Sequence, residues 1–547
     1  MRALRRGRAL GTRLGAEAWY ALVLARAVGP GPLLTPPHRY LGVARAFGSA
    51  GPWGSATALS AAVYGDRPAI IDERGTASFA GLDATAVALA GVLAGRGVRS
   101  GDGIGILCRN HRGLFEAFFA ATTLGLRTVL LNTDFSGPQL ADVCERENVA
   151  VLVYDEEFTD RAACIAPRYG RIVSWLDGES VADDPSVAQF VAAAGKVVIP
   201  RPDHRQQVVL LTSGTTGTPK GAPRALEPTL SAPGSYLSKI PLRANRRVFV
   251  ASPIFHAWGL GSAMLAFALG STIVMSRRAE PAATLDALSR HRCDTLITVP
   301  IVLARLLEAY SQSPDKYDLS ALRVVAVSGS PLSAELGTRA MDLLGDVVYN
   351  LYGSTEVAYA TIATPADLRA APGTVGRSPY GTTVAILDAH GHRVADGLPG
   401  RVFVGNAVHF GGYTDGATKE TVAGLMSTGD VGHFDDQGRL FIDGRDDDMI
   451  VSGGENVYPA EVTDLLVGHP RIADAAVVGV PDEEYGQRLR AYVVRSFDAV
   501  LDEAEVREHV KANLARFKVP REVVFVDAIP RNAAGKVVKR ELPTPQQ

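Results

Sequence analysis

The chain has 547 residues, 47% of them hydrophobic and 21% charged, with a formal net charge of −2. That length exceeds one compact core, so an ordinary globular protein of two or more domains is expected. The near-neutral charge excludes a nucleic-acid binder that works through a basic field. Cys108, Cys144, Cys164 and Cys293 form no CxxC pair and no adjacent histidine cluster. They read as free thiols in a reducing, cytoplasmic setting rather than as a disulfide frame or zinc site.

In chain order, Arg2, Arg5, Arg6, Arg8 and Arg13 precede the run Ala18-Trp19-Tyr20-Ala21-Leu22-Val23-Leu24-Ala25, which Glu17 and Arg26 bracket. The bracket is too tight for a signal peptide, and no stretch reaches the roughly 18 apolar residues of a membrane span. Three readings of residues 1–50 stay open: a basic segment peripheral to the inner face of a membrane, a transit peptide, or a solvated or domain-packed extension.

From about Gly101 to Gly353, apolar runs alternate with helical patterns. Strands are predicted at Ile104–Leu107, Thr128–Leu131, Val151–Tyr154, Val208–Leu211, Val248–Ala251, Thr272–Met275, Thr295–Val299 and Val324–Val327. Helices are predicted at Leu114–Thr123, Ala282–Arg290, Val302–Tyr310 and Ala334–Leu344. Such alternation implies parallel sheets covered on both faces, with ligands at the loops leaving the strands. The stretch Arg168 to His204, rich in Asp, Ala and Pro, offers no clear element. After about Gly373, shorter strands between Gly, Asp and His turns suggest a small β subdomain. The charged segment 444–448 then marks a boundary, beyond which residues 449–547 read as a compact α+β unit. The fold class is therefore α/β: a large N-terminal domain over residues 51–443 with mostly parallel sheets and a β subdomain, and a small C-terminal domain.

The most informative loop follows the strand Val208–Leu211: Thr212-Ser213-Gly214-Thr215-Thr216-Gly217-Thr218-Pro219-Lys220-Gly221. Glycines let backbone N–H groups turn toward an anion, while five hydroxyls and a lysine add donors and charge. It is not a standard P-loop, because Pro219 and Gly221 replace required residues. Three further motifs follow in order: Tyr352-Gly353-Ser354-Thr355-Glu356 after a strand, Ser427-Thr428-Gly429-Asp430 with Arg445 fifteen residues on, and Pro530-Arg531-Asn532-Ala533-Ala534-Gly535-Lys536.

Together these runs resemble the adenylate-forming superfamily of acyl-CoA synthetases, luciferases and peptide-synthetase adenylation domains, over roughly residues 60 to 540. The resemblance implies ATP, Mg²⁺ and coenzyme A as the small molecules used. It implies that Thr212, Ser213, Gly214, Thr215, Thr216, Gly217 and Lys220 hold the phosphates, and that Thr212 and Glu356 face the metal. Asn350, Tyr352, Gly353, Ser354 and Thr355, with Ser328, Gly329 and Ser330, would surround the nucleotide, and Asp430 and Arg445 would reach the ribose. Lys536, with Glu356 and Lys220, is the expected catalytic set. Asp447 falls at the family's hinge, Gly453 and Gly454 in its pantetheine loop, and the C-terminal domain is expected to be mobile.

Substrate clues lie in Pro253-Ile254-Phe255-His256-Ala257-Trp258-Gly259. Amino-acid-activating relatives usually carry an aspartate where His256 stands, and the neighbouring Trp258, Leu260, Met264, Leu265 and Phe267 are largely apolar and suit an alkyl chain. The leading expectation is a fatty-acyl-CoA synthetase for medium or long chains. Its alternatives are an aryl- or coumarate-type CoA ligase, a fatty-acyl-AMP ligase and a non-catalytic scaffold; a homodimer is compatible with the sequence.

Overall fold

The computed structural model describes residues 2–29, 60–178, 184–192, 199–204, 206–212, 219–224, 230–408, 411–446, 450–452, 455–457, 459–482, 486–514, 518–532 and 535–543. Two large sheets dominate the N-terminal domain. The six-stranded sheet runs Arg171–Trp175, Val149–Asp155, Gly103–Leu107, Arg127–Leu130, Gln207–Thr212 and Lys220–Arg224. All its neighbours are parallel except the last pair, an antiparallel hairpin. The eight-stranded sheet has six parallel strands from Pro68–Asp72 to Val348–Tyr352 and an antiparallel strand at each edge.

The apolar runs became parallel strands because both faces are covered: Gly103–Leu107 and Val149–Asp155 are buried at every residue. Helices Phe79–Gly95, Arg112–Leu124 and Ala257–Ala268 contribute the large side chains of the main core. Phe115 and Phe119 meet Phe267 edge to face at 4.9 and 5.5 Å, a preferred aromatic geometry. This packing fixes the helix that carries the predicted substrate residues.

Predicted strands and helices of residues 101–353 match the observed ones to within two residues or so. The stretch 168–204 differs: it holds the strand Arg171–Trp175 and the short helix Val187–Ala192. That strand is the sheet's edge, and its Arg171 and Ser174 interrupt the apolar pattern that reveals interior strands.

Residues Arg2–Val28 form one helix, here α1. Its second half packs onto α2 (Ser231–Lys239), burying Tyr20 and Ala27. Of the three readings open for this segment, a domain-packed extension describes that half. The predicted substrate helix is α3 (Ala257–Ala268). No helix among the described residues is long and apolar enough to cross a membrane.

The β subdomain is a five-stranded sheet built around Leu425–Phe434. Its last strand, Leu440–Arg445, keeps Arg445 in register with Asp430. The C-terminal domain has its own five-stranded sheet and core, with helices Pro459–Val467 and Glu503–Asn513. Asp447, the expected hinge residue, lies outside the described residues.

Candidate active site

The strand Val348–Tyr352 ends by delivering the buried Asn350 and then Tyr352 to its exit. Gly353 follows because the chain folds back tightly there: a Cβ would lie 2.2 Å from the carbonyl oxygen of Ala358. The Ser354 hydroxyl accepts from the backbone N–H groups of Glu356 and Val357 at 3.2 and 3.3 Å, which locks the turn.

The Tyr352 hydroxyl donates to Asp430 Oδ2, with Thr428 Oγ1 at 3.2 Å. The Arg445 guanidinium donates to Asp430 Oδ1 at 3.3 Å. Gly429, at φ +79°, sits against that guanidinium, where a Cβ would come within 3.1 Å. Burial pushes the Asp430 carboxyl up, against the pull of Tyr352 and Arg445. Burial and the facing Asp430 also hold the Tyr352 phenol well above its ordinary value.

The predicted phosphate loop tops the hairpin Gln207–Thr212/Lys220–Arg224, with Thr212 opposite Lys220. Ser213, Gly214, Thr215, Thr216 and Gly217 lie outside the described residues, as do Gly453 and Gly454. Lys220 pairs with Asp415 at 3.2 Å and stands 5.3 Å from the centre of the Tyr413 ring. The Tyr413 hydroxyl in turn donates to Glu356 Oε1. Burial works to raise the Glu356 pKa, but the Tyr413 and Ser354 hydroxyls outweigh it, so the carboxyl stays below its ordinary range and ionised. Arg224, buried, donates to the Thr355 carbonyl, and burial brings its pKa down to about 10.

Several of these partners were not read from the sequence. Tyr413, Asp415 and Arg224 are among them. Another is the wholly buried Glu147, which pairs with Arg127 and Arg146 and accepts from Thr414 Oγ1 at 2.7 Å. Gly221 rests on that carboxylate, where a Cβ would lie 2.5 Å from Oε1. Glu147 so pins the hairpin to residues 413–415. The cue was Gly411-Gly412-Tyr413, a glycine pair before an aromatic; Glu147 left none.

His256 is the residue preceding α3, and its side chain caps nothing. Its Nε2 is buried without a hydrogen-bond partner. Burial, with Lys536 adding, brings its pKa down to about 4, so the ring is neutral at neutral pH. Trp258 Nε1 donates to the Thr298 carbonyl at 2.9 Å, and its ring lies 6.0 Å from that of Tyr236 on α2. The Ser262 hydroxyl is near enough to Tyr236 to oppose the rise that burial imposes on that phenol. Neither oxygen completes a well-formed hydrogen bond.

The C-terminal domain closes the site. Gly535, at φ +78°, lies against Ile301 and Ser330, where a Cβ would come within 2.9 and 3.5 Å. Arg531 stiffens this loop by pairing with Asp474 at 2.7 Å and donating to the Gly535 carbonyl at 2.9 Å. Lys536 is thereby set where its charge acts on both His256 and Asp430. One cavity of about 2830 Å³ is lined by Lys220, Ser328, Gly329, Ser330, Asn350, Tyr352, Gly353, Ser354, Thr355, Glu356, Asp430, Arg445, Lys536, His256 and Trp258. The Thr212 side chain lies outside the described residues.

A second polar cluster lies apart, where the fold brings Cys108 beside His111 and Asp155, all buried. The expectation of no histidine beside the cysteines holds for the sequence but not in space. Both His111 nitrogens are engaged: Nδ1 accepts from the Gly113 N–H at 3.0 Å and Nε2 meets Asp155 at 2.7 Å. Burial raises the Cys108 thiol well above its ordinary pKa, so the cluster is a packed core feature.

Residues 58–414 match the family described as AMP-binding enzyme, and residues 461–536 match AMP-binding enzyme C-terminal domain. The chain belongs to that adenylate-forming family, and within it to the acyl-CoA ligase type, which activates a carboxylic acid through an adenylate. It is 32% identical to a feruloyl-CoA synthase of Amycolatopsis sp over 86% of this chain and 94% of that one. It is 29% identical to a long-chain-fatty-acid–CoA ligase of Mycobacterium tuberculosis over 85% and 92% of the two chains. The structure of o-succinylbenzoate CoA synthetase from Bacillus subtilis, in complex with its acyl-adenylate intermediate, superposes with a TM-score of 0.77. It is 26% identical, over 90% of this chain and 98% of that one.

Proposed function

We propose that this chain is an ATP-dependent ligase joining coenzyme A to a carboxylic acid whose apolar body carries a ring or an oxygen substituent. The observation that supports this acid is the buried trio of Tyr236 Oη, Ser262 Oγ and His256 Nε2, none of them in a well-formed hydrogen bond although Tyr236 and Ser262 lie close to each other. All three residues line the active-site cavity. A buried polar atom left unpaired costs about 1–3 kcal/mol. A hydroxyl or carbonyl on the bound acid, met by rotation of these side chains toward the cavity, would relieve part of that cost, and an alkyl chain would not. The Trp258 and Tyr236 rings offer flat apolar contact beside them. The fatty-acid reading is favoured by a different observation, the Met264, Leu265 and Ala268 side of the same cavity, and by the likeness to a long-chain ligase.

In this reading the ribose diol sits on Asp430, held by Tyr352 and Arg445, and the adenine lies between Tyr352 and residues 328–330. A carboxylate presents two acceptors to a diol. The triphosphate runs toward Lys220 and the loop at 212–220. Glu356 is a single buried, ionised carboxylate with one oxygen engaged by Tyr413. That sparse oxygen set, with the Thr212 hydroxyl, suits Mg²⁺, which keeps water and phosphate oxygens as its other ligands and neutralises phosphate charge when bound.

The acid is ionised at neutral pH, so the first step needs alignment and charge neutralisation, not a base. A carboxylate oxygen bonds to the α-phosphorus as the bond to pyrophosphate breaks. Lys536 offsets the negative charge gathering between the two anions. His256 beside it stays neutral and so does not compete for the anion. In the second step the coenzyme A thiolate bonds to the acyl carbon and AMP leaves.

The test is a substrate panel read by acid-dependent ATP–pyrophosphate exchange and by thioester formation. It would compare hydroxycinnamates, indoleacetate and cyclic keto acids with decanoate and palmitate. The proposal expects the ring-bearing or oxygenated acids to give kcat/KM at least tenfold above the alkyl acids. A preference for palmitate would reverse that reading, and exchange with no acid at all would end the ligase assignment.

A further inference from the structure

The wall helix α2 is poorly equipped to be a helix. Its nine residues, Ser231-Ala232-Pro233-Gly234-Ser235-Tyr236-Leu237-Ser238-Lys239, include a proline, a glycine and three serines. Gly234 costs about 1 kcal/mol relative to alanine, Pro233 is tolerated only because it falls in the first turn, and isolated helices of this length are not stable in water. The residue at its N-cap position, Leu230, has no side-chain oxygen to cap the first turn. Yet this helix presents Leu230, Ala232, Pro233 and Tyr236 to the active-site cavity, so its position decides the shape of that wall.

What holds it comes from α1, which lies before residue 58, where the match to the family begins. The Glu17 carboxylate accepts from the Leu230 N–H at 3.0 Å. An anion there satisfies a free donor and complements the positive end of α2. One turn later Tyr20, only 3% exposed, occupies a notch made by two glycines. A Cβ on Gly234 would lie 2.4 Å from the Tyr20 ring, and one on Gly381 would lie 2.1 Å from its hydroxyl. Both glycines are thus shaped around this one side chain. The Tyr20 hydroxyl donates to the Tyr380 carbonyl at 2.8 Å, and Ser235 Oγ donates to the same carbonyl at 3.1 Å. The Tyr359 hydroxyl donates to Ser235 Oγ at 3.3 Å. Tyr359 itself lines the cavity, three residues beyond Glu356. At the far end the Ala244 N–H donates to the Ala27 carbonyl at 2.9 Å, fastening α1 beyond α2 as well.

We propose that α1 is a buttress of the acid pocket, with Tyr20 and Glu17 as positioning residues that fix α2 and hence select the acid. This rests on the assignment of the α2–α3 cavity as the acid site. Neither residue lines the cavity, so their effect passes through α2. Loss of the buttress lets α2 shift or fray, which loosens the Tyr236 wall and leaves the Asp430 and Lys220 ends in place. The same geometry makes the two sides interdependent: Gly234→Ala should do to the notch what loss of the ring does.

The test uses the full chain and three variants, Tyr20→Ala, Tyr20→Phe and Gly234→Ala. Hydrogen–deuterium exchange is read over residues 230–240, and KM is read separately for acid and ATP. Expected are at least tenfold faster exchange of the α2 amides in Tyr20→Ala, with the Val348–Tyr352 and Leu425–Phe434 strands unchanged. The acid KM should rise at least tenfold while the ATP KM moves less than twofold. Tyr20→Phe, which keeps the ring, should stay within about threefold of wild type. Tyr20→Ala combined with Gly234→Ala should be no worse than the poorer single variant, because both empty or block one notch. Unchanged α2 exchange in Tyr20→Ala overturns the buttress, and this holds whatever acid the enzyme uses. Faster α2 exchange with acid and ATP KM values moving together overturns the selective role and leaves a merely structural one. If wild type turns over no acid, the ligase assignment fails on its own, and the exchange data still decide the buttress.

Discussion

The two ends of the cavity are built on opposite terms. At the nucleotide end, polar groups are already paired with one another: Tyr352 and Arg445 with Asp430, Tyr413 with Glu356, Lys220 with Asp415. At the acid end, Tyr236, Ser262 and His256 are buried with their polar atoms unmatched. Preorganisation suits a ligand that is the same in every cycle, since aligned dipoles need not reorganise when charge arrives. Unmatched atoms suit discrimination, since a ligand lacking the right partner leaves the cost in place. On the proposed function, the difference places the chain's rigidity at the ATP and its specificity at the acid.

The contrast breaks most visibly at Lys536, whose charge reaches both ends. Lys536→Ala should lower adenylate formation about 10²–10³-fold, the usual effect of removing one preorganised electrostatic contact. Thioester formation from supplied acyl-adenylate should stay within a few-fold. Single-turnover measurement of each half-reaction checks this, and equal losses in both would end the division of labour.

Next in size is a pH effect confined to the acid end. The folded pKa of His256 is about 4, below its ordinary 6.5. Between those values the unfolded chain binds a proton that the folded chain refuses. Stability should therefore fall as pH drops from 6.5 to 4, by up to ~3 kcal/mol, and stay level above 6.5 as far as this group is concerned. His256→Gln should flatten that slope in denaturant titrations at several pH values. An unchanged slope would place the acid sensitivity elsewhere.

The nucleotide end was legible in the sequence, and its support was not. Tyr352, Glu356, Asp430, Arg445 and Lys536 sit in short motifs and line one cavity; on the proposed function, a triphosphate and a diol demand fixed residue types at strand exits. The parallel strands were legible for a related reason: burial on both faces leaves unbroken apolar runs such as Gly103–Leu107. Glu147 and Arg224 were invisible because each acts through a partner far away in the chain, as Glu147 does through Thr414, and Tyr413 offered only the glycine pair before it. The edge strand Arg171–Trp175 escaped because edges tolerate polar residues. Tyr236 escaped because α2 has no helical signature of its own and is held by Tyr20, 216 positions earlier.

Asp430→Ala sharpens the comparison from the paired side. It leaves the Tyr352 hydroxyl and the Arg445 guanidinium without their shared acceptor and removes the proposed site for the ribose diol. The KM for ATP should rise roughly thirtyfold, about 2 kcal/mol, with the acid KM little changed. A parallel rise in the acid KM would mean the two ends are one coupled unit.

The smallest expected effect tests the unmatched side. Tyr236→Phe and Ser262→Ala each remove an orphaned hydroxyl without opening a large cavity. For an acid with a matching oxygen, each should raise KM about five- to tenfold, or roughly 1 kcal/mol. For an alkyl acid of similar length the same changes should be neutral or favourable, since they erase a buried oxygen that makes no well-formed hydrogen bond. The two variants should also stabilise the ligand-free protein slightly, which thermal unfolding would register. That combination of better stability, poorer use of oxygenated acids and unimpaired use of alkyl acids has one physical source. If both variants instead weaken every acid alike, the hydroxyls shape the wall by packing alone.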